Sequence, residues 1–296
     1  MGRLLILCPG QGSQQPGMFD LARTCPAGAR MLDACGYPEA PPELFANAVA
    51  QPAIVAAALA MWECLRDDLQ PTAIAGYSIG ELTCYGVAGA LAPARAVALA
   101  AQRAQLMDQC ATALPGQALV ALADLPLSRA QALATSSGFS IAIYNGEQSC
   151  VAGGASARLD DLLGSVAAAG GRCTVLPVEV ASHTLLMSGA VAPFRAALSS
   201  AGLQAWQGHV YSGIAATQVS GVTMAIEHLA RQLAEPIRWM DCMDSFAEAG
   251  ITVALELGPG SALSRMLQAR HPHIDSRSVA EFRSIEGVRA WLDRMR

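Results

Sequence analysis

The sequence predicts an α/β fold, in which a large domain with a parallel sheet carries a small inserted ferredoxin-like (βαββαβ) domain. Short apolar strands alternate with helical segments in the first part of the chain, and this alternation is typical of parallel sheets. The middle of the chain follows another order: strand, helix, two strands, helix, strand. A length of 296 residues, of which 53% are hydrophobic and 15% charged, is enough for two packed cores.

The large domain is predicted to begin with an apolar strand at residues 3–8, which ends at the glycine-rich turn PGQGSQQPG. A helix follows at residues 52–66, and a second apolar strand at 73–77 leads to Ser78. Residues 93–113 are rich in alanine and place apolar side chains near one face, which predicts a long helix. This order of elements predicts that the two strands lie parallel.

The middle of the chain predicts a separate small domain. In order, we expect a strand at 118–123, a helix at 127–135, paired strands at 140–145 and 150–153, a helix at 156–169 and a strand at 172–178. This is the split βαβ arrangement of ferredoxin-like domains. We therefore assign residues 117–178 to the small domain, and residues 1–116 and 179–296 to the large one.

The remainder of the chain is predicted to complete the large domain. Helices are expected at about 187–201, 223–234 and 240–249. A last apolar strand at 252–257 is followed by the turn GPGSAL and by a C-terminal helix.

Charge and composition exclude several classes of function. A net charge of −5 argues against nucleic-acid binding, for which a basic face is expected. All 19 basic residues are arginines, so the chemistry of a Schiff-base lysine or of a P-loop lysine is excluded. The longest apolar run, at residues 54–62, is much shorter than the roughly 20 residues that span a membrane.

The nine cysteines are scattered without CxxC or Cys/His ligand spacing. An odd number in this arrangement makes a disulfide framework or a metal site improbable and suits a reducing compartment. We therefore expect no metal, no membrane contact and a cytoplasmic location.

The segment GYSIG at residues 76–80 matches the nucleophile elbow G-x-S-x-G, with Ser78 at its centre. It lies between an apolar strand and a helix, which is the context that gives this motif its meaning. The alternative is a serine that only turns the chain and caps the helix. A reactive Ser78 needs a base, because a serine hydroxyl is a poor nucleophile at neutral pH.

Among the five histidines, His183 is the best candidate for that base. It lies in VASHTLLM, where the chain returns from the small domain, so its ring can project into a cleft between the domains. An α/β-hydrolase would place Ser, Asp and His in that order with a late histidine. Here more than a hundred residues follow His183, and no aspartate between it and Ser78 follows an obvious core strand. A backbone carbonyl can orient the imidazole instead.

Eight segments of the chain occur in the order and approximate spacing of one known family. They are PGQGSQ, QPAI, GYSIGE, AQRAQLM, YNGEQSCVAGG, VASHTLLM, RQLAEPIRW and ELGPGSAL. The chain resembles the malonyl-CoA:acyl carrier protein transacylases, which include enzymes of fatty-acid synthesis, acyltransferase domains of polyketide synthases and the epsilon subunit of malonate decarboxylase. The resemblance covers nearly the whole chain and implies an α/β-hydrolase-like large domain.

The resemblance implies a role for six residues. Ser78 corresponds to the nucleophile and His183 to its base and later acid. Gln11 and the backbone N–H of Ile79 correspond to the oxyanion hole. The remaining two are the carboxylate-binding Arg103 and Gln232, whose backbone carbonyl orients the histidine.

Arg103 is also notable without the resemblance. A guanidinium on a largely apolar helix face is costly unless it has an anionic partner, and a bound carboxylate would be one. The alternatives are an arginine in solvent or an ion pair with Asp108, about one turn further along the helix.

The resemblance implies an acyltransferase, an S-malonyltransferase that works by two-step (ping-pong) exchange through malonyl-Ser78. No tightly bound cofactor is implied. Malonyl-CoA is the donor, and the acceptor is the phosphopantetheine-type thiol of an acyl carrier protein. The alternative of another class is a serine thioesterase or esterase, and a non-enzymatic carrier-docking subunit with a relic site is a third.

Within the family, the chain looks most like the malonyl transferase subunit of malonate decarboxylase. The family usually has histidine before the nucleophile, where this chain has Tyr77. The segment between GQGSQ and GYSIG is about a dozen residues shorter than in the fatty-acid enzymes. The alternative is a transacylase of fatty-acid or polyketide synthesis.

Overall fold

The computed structural model describes residues 2–178 and 180–295. Within these ranges the helices are α1 (Asp20–Arg23), α2 (Pro26–Ala34), α3 (Asn47–Leu65), α4 (Ile79–Val87), α5 (Pro93–Ala113), α6 (Leu127–Ser136), α7 (Leu159–Ala168), α8 (Ser188–Ser199), α9 (Val222–Arg231), α10 (Trp239–Glu248), α11 (Ala262–Arg270) and α12 (Ile285–Met295). The strands are β1 (Leu4–Cys8), β2 (Ala73–Gly76), β3 (Gln117–Ala123), β4 (Phe139–Gly146), β5 (Ser149–Ala155), β6 (Arg172–Val175), β7 (His209–Val210), β8 (Val253–Glu256) and β9 (Asp275–Ser278).

Five of the described strands form a parallel sheet in the order β7-β2-β1-β8-β9. All five residues of β1 are buried, because both faces of this central strand are covered. Leu4, Ile6 and Cys8 pack into one hydrophobic cluster, while Leu5 and Leu7 pack into another on the opposite face. Burial on both faces is the physical reason for the uninterrupted apolar run in the sequence.

The four other described strands form an antiparallel sheet in the order β4-β5-β3-β6. Helices α6 and α7 pack on it and share a third hydrophobic cluster with its strands. The α/β class with a parallel sheet and a small βαββαβ sheet is therefore confirmed. The boundaries at 116/117 and 178/179 stay a prediction, and residues 1, 179 and 296 lie outside the described ranges.

Helix α3 runs through the core of the large sheet's helical layer. The 22 residues Asn47–Asp68 are long and apolar enough to span a membrane, but 83% of the most apolar window is buried inside the protein. Such burial on all sides is typical of a core helix. The helix begins at Asn47 rather than at the predicted residue 52, and Pro52 lies within it.

Several predicted elements differ from the structure. The strand predicted at 172–178 ends at Val175, although the Leu176 N–H still donates to the Leu119 carbonyl at 2.9 Å. Leu176 and Val178 line a cavity. The single helix predicted at the C-terminus is instead α11, the edge strand β9 and α12. The short helices α1 and α2 were not predicted. None of these differences concerns β2 or α4, the elements on either side of Ser78.

The turn between β2 and α4 is held tightly against the end of β1. A Cβ atom on Gly80 would lie 2.1 Å from the carbonyl oxygen of Cys8, and one on Gly76 would lie 2.1 Å from the carbonyl carbon of Gly80. No side chain can occupy either position without moving backbone. The two glycines of G-x-S-x-G are therefore required by contacts between backbone segments.

We expect Gly80→Ala to lower the free energy of unfolding by roughly 3 kcal/mol, because the added methyl group overpacks a contact between two backbone segments. Gly164→Ala is the matched control. Gly164 lies within α7 with nothing inside 4 Å of an added Cβ, so the same change should stabilise by about 0.5–1 kcal/mol. Urea denaturation of both variants measures the difference, and equal midpoints would contradict the tight turn.

Candidate active site

Ser78 lies at the sharp turn between β2 and α4. Its backbone angles, φ 54° and ψ −117°, are unusual for a residue with a side chain. Such strain is held in place by the glycines on either side and is commonly found at functional sites. The turn brings the Ser78 Oγ within 2.8 Å of the His183 Nε2.

His183 is 1% exposed and is held by the loop that follows α9. Its backbone N–H donates to the Leu233 carbonyl at 2.8 Å, and its φ of 63° lies in the left-handed region, which is uncommon for a residue with a side chain. The His183 Nδ1–H donates to the Gln232 carbonyl at 2.6 Å. A carbonyl oxygen only accepts, so Nε2 of the neutral ring carries the lone pair that faces Ser78.

Burial keeps this imidazole neutral. Burial, and after it the positive charge of Arg103, lower the pKa of His183 to about 3, although the hydrogen bond to Gln232 acts in the opposite direction. The ring is therefore able to accept a proton from Ser78 across the physiological pH range.

Arg103 lies in the middle of the buried face of α5 and is 2% exposed. Its Nη1 donates to the Gln51 Oε1 at 2.6 Å. Its Nη2 faces the Ser78 Oγ and the Gln232 Oε1, each at 3.3 Å. Desolvation lowers the pKa of Arg103 to about 10. Because this value is still well above neutral pH, the guanidinium stays charged.

The two alternatives for Arg103 are wrong. The side chain is not in solvent, and Asp108 instead accepts a hydrogen bond from the Asn47 Nδ2 at 2.8 Å. Among the described residues, no carboxylate is in salt-bridge contact with Arg103. A buried guanidinium therefore lies beside Ser78 with neutral hydrogen-bond partners only.

Two N–H groups near Ser78 are available as donors. The described residues contain no acceptor for the backbone N–H of Ile79, the first residue of α4, whereas the next two N–H groups donate to the Tyr77 and Ser78 carbonyls. The Gln11 Nε2, in the loop after β1, is buried and has no hydrogen-bond partner among the residues that the structure describes. Both groups could donate to an oxygen that develops negative charge.

These groups surround a cavity of about 320 Å³ between the two sheets. Gln11, Ser78, Arg103 and His183 are among the residues that line it. Three apolar side chains of the small sheet also line it: Leu119, Ile143 and Val151. Mostly apolar walls around a few convergent polar groups are typical of a small-molecule site.

Residues 6–282 of the chain match the family model of the acyl transferase domain. The chain belongs to the acyl transferase domain family. It is therefore an acyltransferase, and the residues around Ser78 form its candidate active site.

Individual relatives agree with this assignment. The malonyl CoA-acyl carrier protein transacylase of Mycobacterium tuberculosis is 31% identical over 93% of this chain and 96% of its own length. The enzyme of the same name from Haemophilus influenzae is 28% identical over 99% of this chain and 100% of its own. The crystal structure of malonyl-CoA:acyl carrier protein transacylase from Xanthomonas oryzae pv. oryzae superposes with a TM-score of 0.91 at 27% identity, covering 99% of this chain and 98% of that one.

Two polar side chains of the acyltransferase site escaped sequence reasoning. Gln51, in QPAI, accepts a hydrogen bond from the guanidinium of Arg103. The side chain of Gln232 accepts another from the same guanidinium, while the backbone carbonyl of Gln232 binds His183. The prediction for Gln232 concerned its carbonyl alone. A signal was present for Gln51, since it is a polar residue at the start of a long apolar segment.

Tyr77 links the two sheets at the edge of the site. Its hydroxyl donates to the Asn145 Oδ1 at 2.9 Å, and its ring makes an edge contact with Trp239 at 5.3 Å between centroids. Asn145 belongs to β4 of the small sheet, so this bond connects the turn before Ser78 to the opposite wall of the cavity.

The buried neutral state of His183 predicts a pH dependence of stability. In the unfolded chain the imidazole binds a proton below its ordinary pKa of 6.5, whereas in the folded acyltransferase it does so only near pH 3. The wild type therefore loses stability, relative to His183→Asn, as the pH falls from 6.5 toward 4. The expected slope is roughly 1.4 kcal/mol for each pH unit. Urea denaturation of both proteins at several pH values measures it, and a constant difference would show that His183 protonates normally in the folded protein.

Proposed function

We propose that this acyltransferase transfers a malonyl group from malonyl-CoA to the thiol of an acyl carrier protein, through an ester on Ser78. The observation that carries the proposal is the buried guanidinium of Arg103, which faces the Ser78 Oγ at 3.3 Å and has no carboxylate partner among the described residues. The malonyl carboxylate would be that partner. The names of the relatives from Mycobacterium tuberculosis and Haemophilus influenzae support the same donor and acceptor.

The first half-reaction begins with proton transfer from Ser78 to His183. The lone pair on Nε2 accepts the hydroxyl proton as Oγ attacks the thioester carbonyl of malonyl-CoA. The negative charge that forms on the carbonyl oxygen is stabilised by the Ile79 N–H and the Gln11 side chain. The carbon–sulfur bond then breaks, and the CoA sulfur leaves with the proton from Nε2.

Arg103 selects the acyl group in this scheme. The carboxylate carbon of a malonyl ester is three bonds from the serine oxygen, so a guanidinium beside Oγ is within its reach. The carboxylate would gain charge-assisted hydrogen bonds at a desolvated cation, whereas an acetyl group offers nothing to that cation. This contrast favours malonyl over acetyl groups.

The second half-reaction is the first in reverse. The thiol of the carrier's phosphopantetheine-type arm gives its proton to the His183 Nε2 as the sulfur attacks the malonyl ester. Collapse of the intermediate releases Ser78, which takes back the proton. No tightly bound cofactor and no metal takes part in either half-reaction.

Intact-protein mass after brief exposure to malonyl-CoA tests this proposal. We expect a malonyl adduct in the wild type and none in Ser78→Ala. An adduct on neither protein, with steady release of CoA, would identify a thioesterase, and no release of CoA at all would indicate a relic site.

Arg103→Ala tests the selection of the acyl group. We expect the rate of adduct formation with malonyl-CoA to fall by roughly 100-fold, which is about 3 kcal/mol, and the rate with acetyl-CoA to change far less. Arg195→Ala is the matched control, because Arg195 forms an ion pair with Glu227 on α9 and does not line the cavity. Equal losses with both thioesters would argue that Arg103 only supports the fold.

We infer further that the acyltransferase is the malonyl transferase subunit of a malonate decarboxylase and works in the cytoplasm. Three features of the sequence support this narrower assignment: Tyr77 before the nucleophile, the shortened segment before GYSIG, and the motif YNGEQSCVAGG. The acceptor would then be a small carrier subunit with a dephospho-CoA-derived arm. A transacylase of fatty-acid or polyketide synthesis is the alternative.

A direct comparison of acceptors decides between the two. We expect kcat/KM for malonyl transfer to be at least tenfold higher with a carrier that bears the dephospho-CoA-derived arm than with a phosphopantetheine-bearing fatty-acid carrier, because the acceptor site discriminates by complementarity. The opposite preference would assign the enzyme to fatty-acid or polyketide synthesis.

A further inference from the structure

A buried carboxylate lies close to the active site, and the reaction described above does not use it. Glu81 is in the first turn of α4, three residues after Ser78, and it is 0% exposed. Burying a carboxylate is costly unless other groups compensate it. Its surroundings therefore indicate what it does.

Glu81 is bound through one of its two oxygens. The Oε2 accepts the backbone N–H of Gly213 at 2.9 Å and also the side-chain amide of Gln232. In the described ranges, no arginine or histidine is in salt-bridge contact with this carboxylate. Its partners are neutral donors, just as the hydrogen-bond partners of Arg103 are neutral acceptors.

Gln232 connects Glu81 to both functional side chains. Because a carboxylate only accepts hydrogen bonds, the Gln232 Nε2 must face Glu81, which turns Oε1 toward Arg103. The backbone carbonyl of the same residue accepts the Nδ1–H of His183. One glutamine, oriented by Glu81, thus contacts the group that holds the malonyl carboxylate and the group that moves the proton.

We propose that Glu81 is a positioning residue, which acts through Gln232 to orient Arg103 and His183 and whose negative charge offsets that of Arg103. This inference rests on the proposed function and assigns Glu81 a part in it.

The electrostatic part of the argument has two steps. The pKa of His183 is lowered by burial and then by the positive charge of Arg103. The negative charge of Glu81 acts on Arg103 and raises the pKa of that guanidinium, against the effect of burial. Neutralising Glu81 therefore leaves the field of Arg103 uncompensated. His183 becomes a weaker base, while the attraction of Arg103 for an incoming carboxylate increases. A loss of turnover should then come with unchanged or tighter binding of malonyl-CoA.

Protonation of Glu81 should have the same effect as its replacement. Burial raises the pKa of Glu81 to about 7, although the hydrogen bonds from Gly213 and Gln232 and the charge of Arg103 each lower it. Cys84 and Tyr85 on α4 and Cys242 on α10 also face the carboxylate, and burial raises the pKa of each well above its ordinary value. With Arg103 near 10 and His183 near 3, Glu81 is the member of this group that titrates between pH 5 and 8.

The test compares wild type with Glu81→Gln in steady-state malonyl transfer between pH 5 and 8. At pH 8, we expect kcat to be roughly tenfold lower in the variant, with KM for malonyl-CoA equal or lower. In the wild type, kcat should fall toward the variant's value as the pH drops through about 7, and the variant's profile should be flat. A merely structural role would lower the yield of folded protein without this split between kcat and KM.

Glu256→Gln is the matched control. Glu256 is 1% exposed and lines the same cavity, and burial raises its pKa to about 7 as well. Its carboxylate accepts the Ser264 N–H at 2.8 Å in the first turn of α11 and has no hydrogen bond to Gln232 in the described part of the chain. We expect this variant to keep the pH profile of the wild type. Loss of the pH dependence in Glu256→Gln, but not in Glu81→Gln, would overturn the proposal.

Gln232→Met covers the case in which Glu81→Gln does not fold. It keeps the backbone carbonyl that binds His183 but removes the amide that joins Glu81 to Arg103, so we expect reduced kcat here too. If the wild type acylates on Ser78, and Glu81→Gln and Gln232→Met both match its kcat and pH profile, the role of Glu81 is overturned while the proposed function stands. A wild type that releases CoA without an adduct would overturn the proposed function and, with it, this role of Glu81.

Discussion

The burial of Arg103 beside Ser78 constrains every other group in the site. A guanidinium that is 2% exposed requires acceptors, and the chain supplies them from two other parts of the fold, Gln51 on α3 and Gln232 after α9. These acceptors are neutral and no described carboxylate is in salt-bridge contact with the guanidinium, so the cation lacks a contacting anion at the point where an acyl group would be attached. Burial, and after it this same charge, lower the pKa of His183, so its Nε2 is unprotonated at neutral pH.

The architecture brings these groups together from distant parts of the chain. The parallel sheet ends in the tight turn that presents Ser78, and the segment that leaves the small sheet carries His183 to within 2.8 Å of it. The loop after α9 then holds the histidine through the Gln232 and Leu233 carbonyls. The cavity lies between the sheets because each of them contributes one wall.

The sequence pattern was sufficient to predict those elements and site residues that depend only on their neighbours in the chain. The apolar strands before Ser78, the elbow glycines and the arginine on an apolar helix face could all be identified from neighbouring residues. Glu81 and the Gln232 side chain could not, because their bond joins positions 151 residues apart and only tertiary packing buries them. Strand β9 was missed for a different reason: its residues DSRS are polar, as suits an edge strand. The roles of the site residues remain predictions that the geometry supports.

The most direct test of this account is a crystal structure of the protein after malonylation by malonyl-CoA in the absence of an acceptor. The account predicts an ester on the Ser78 Oγ, with the malonyl carboxylate within hydrogen-bond distance of the Arg103 guanidinium and the ester carbonyl directed at the Ile79 N–H. A malonyl group whose carboxylate points into solvent, with Arg103 still bound only to Gln51 and Gln232, would contradict it.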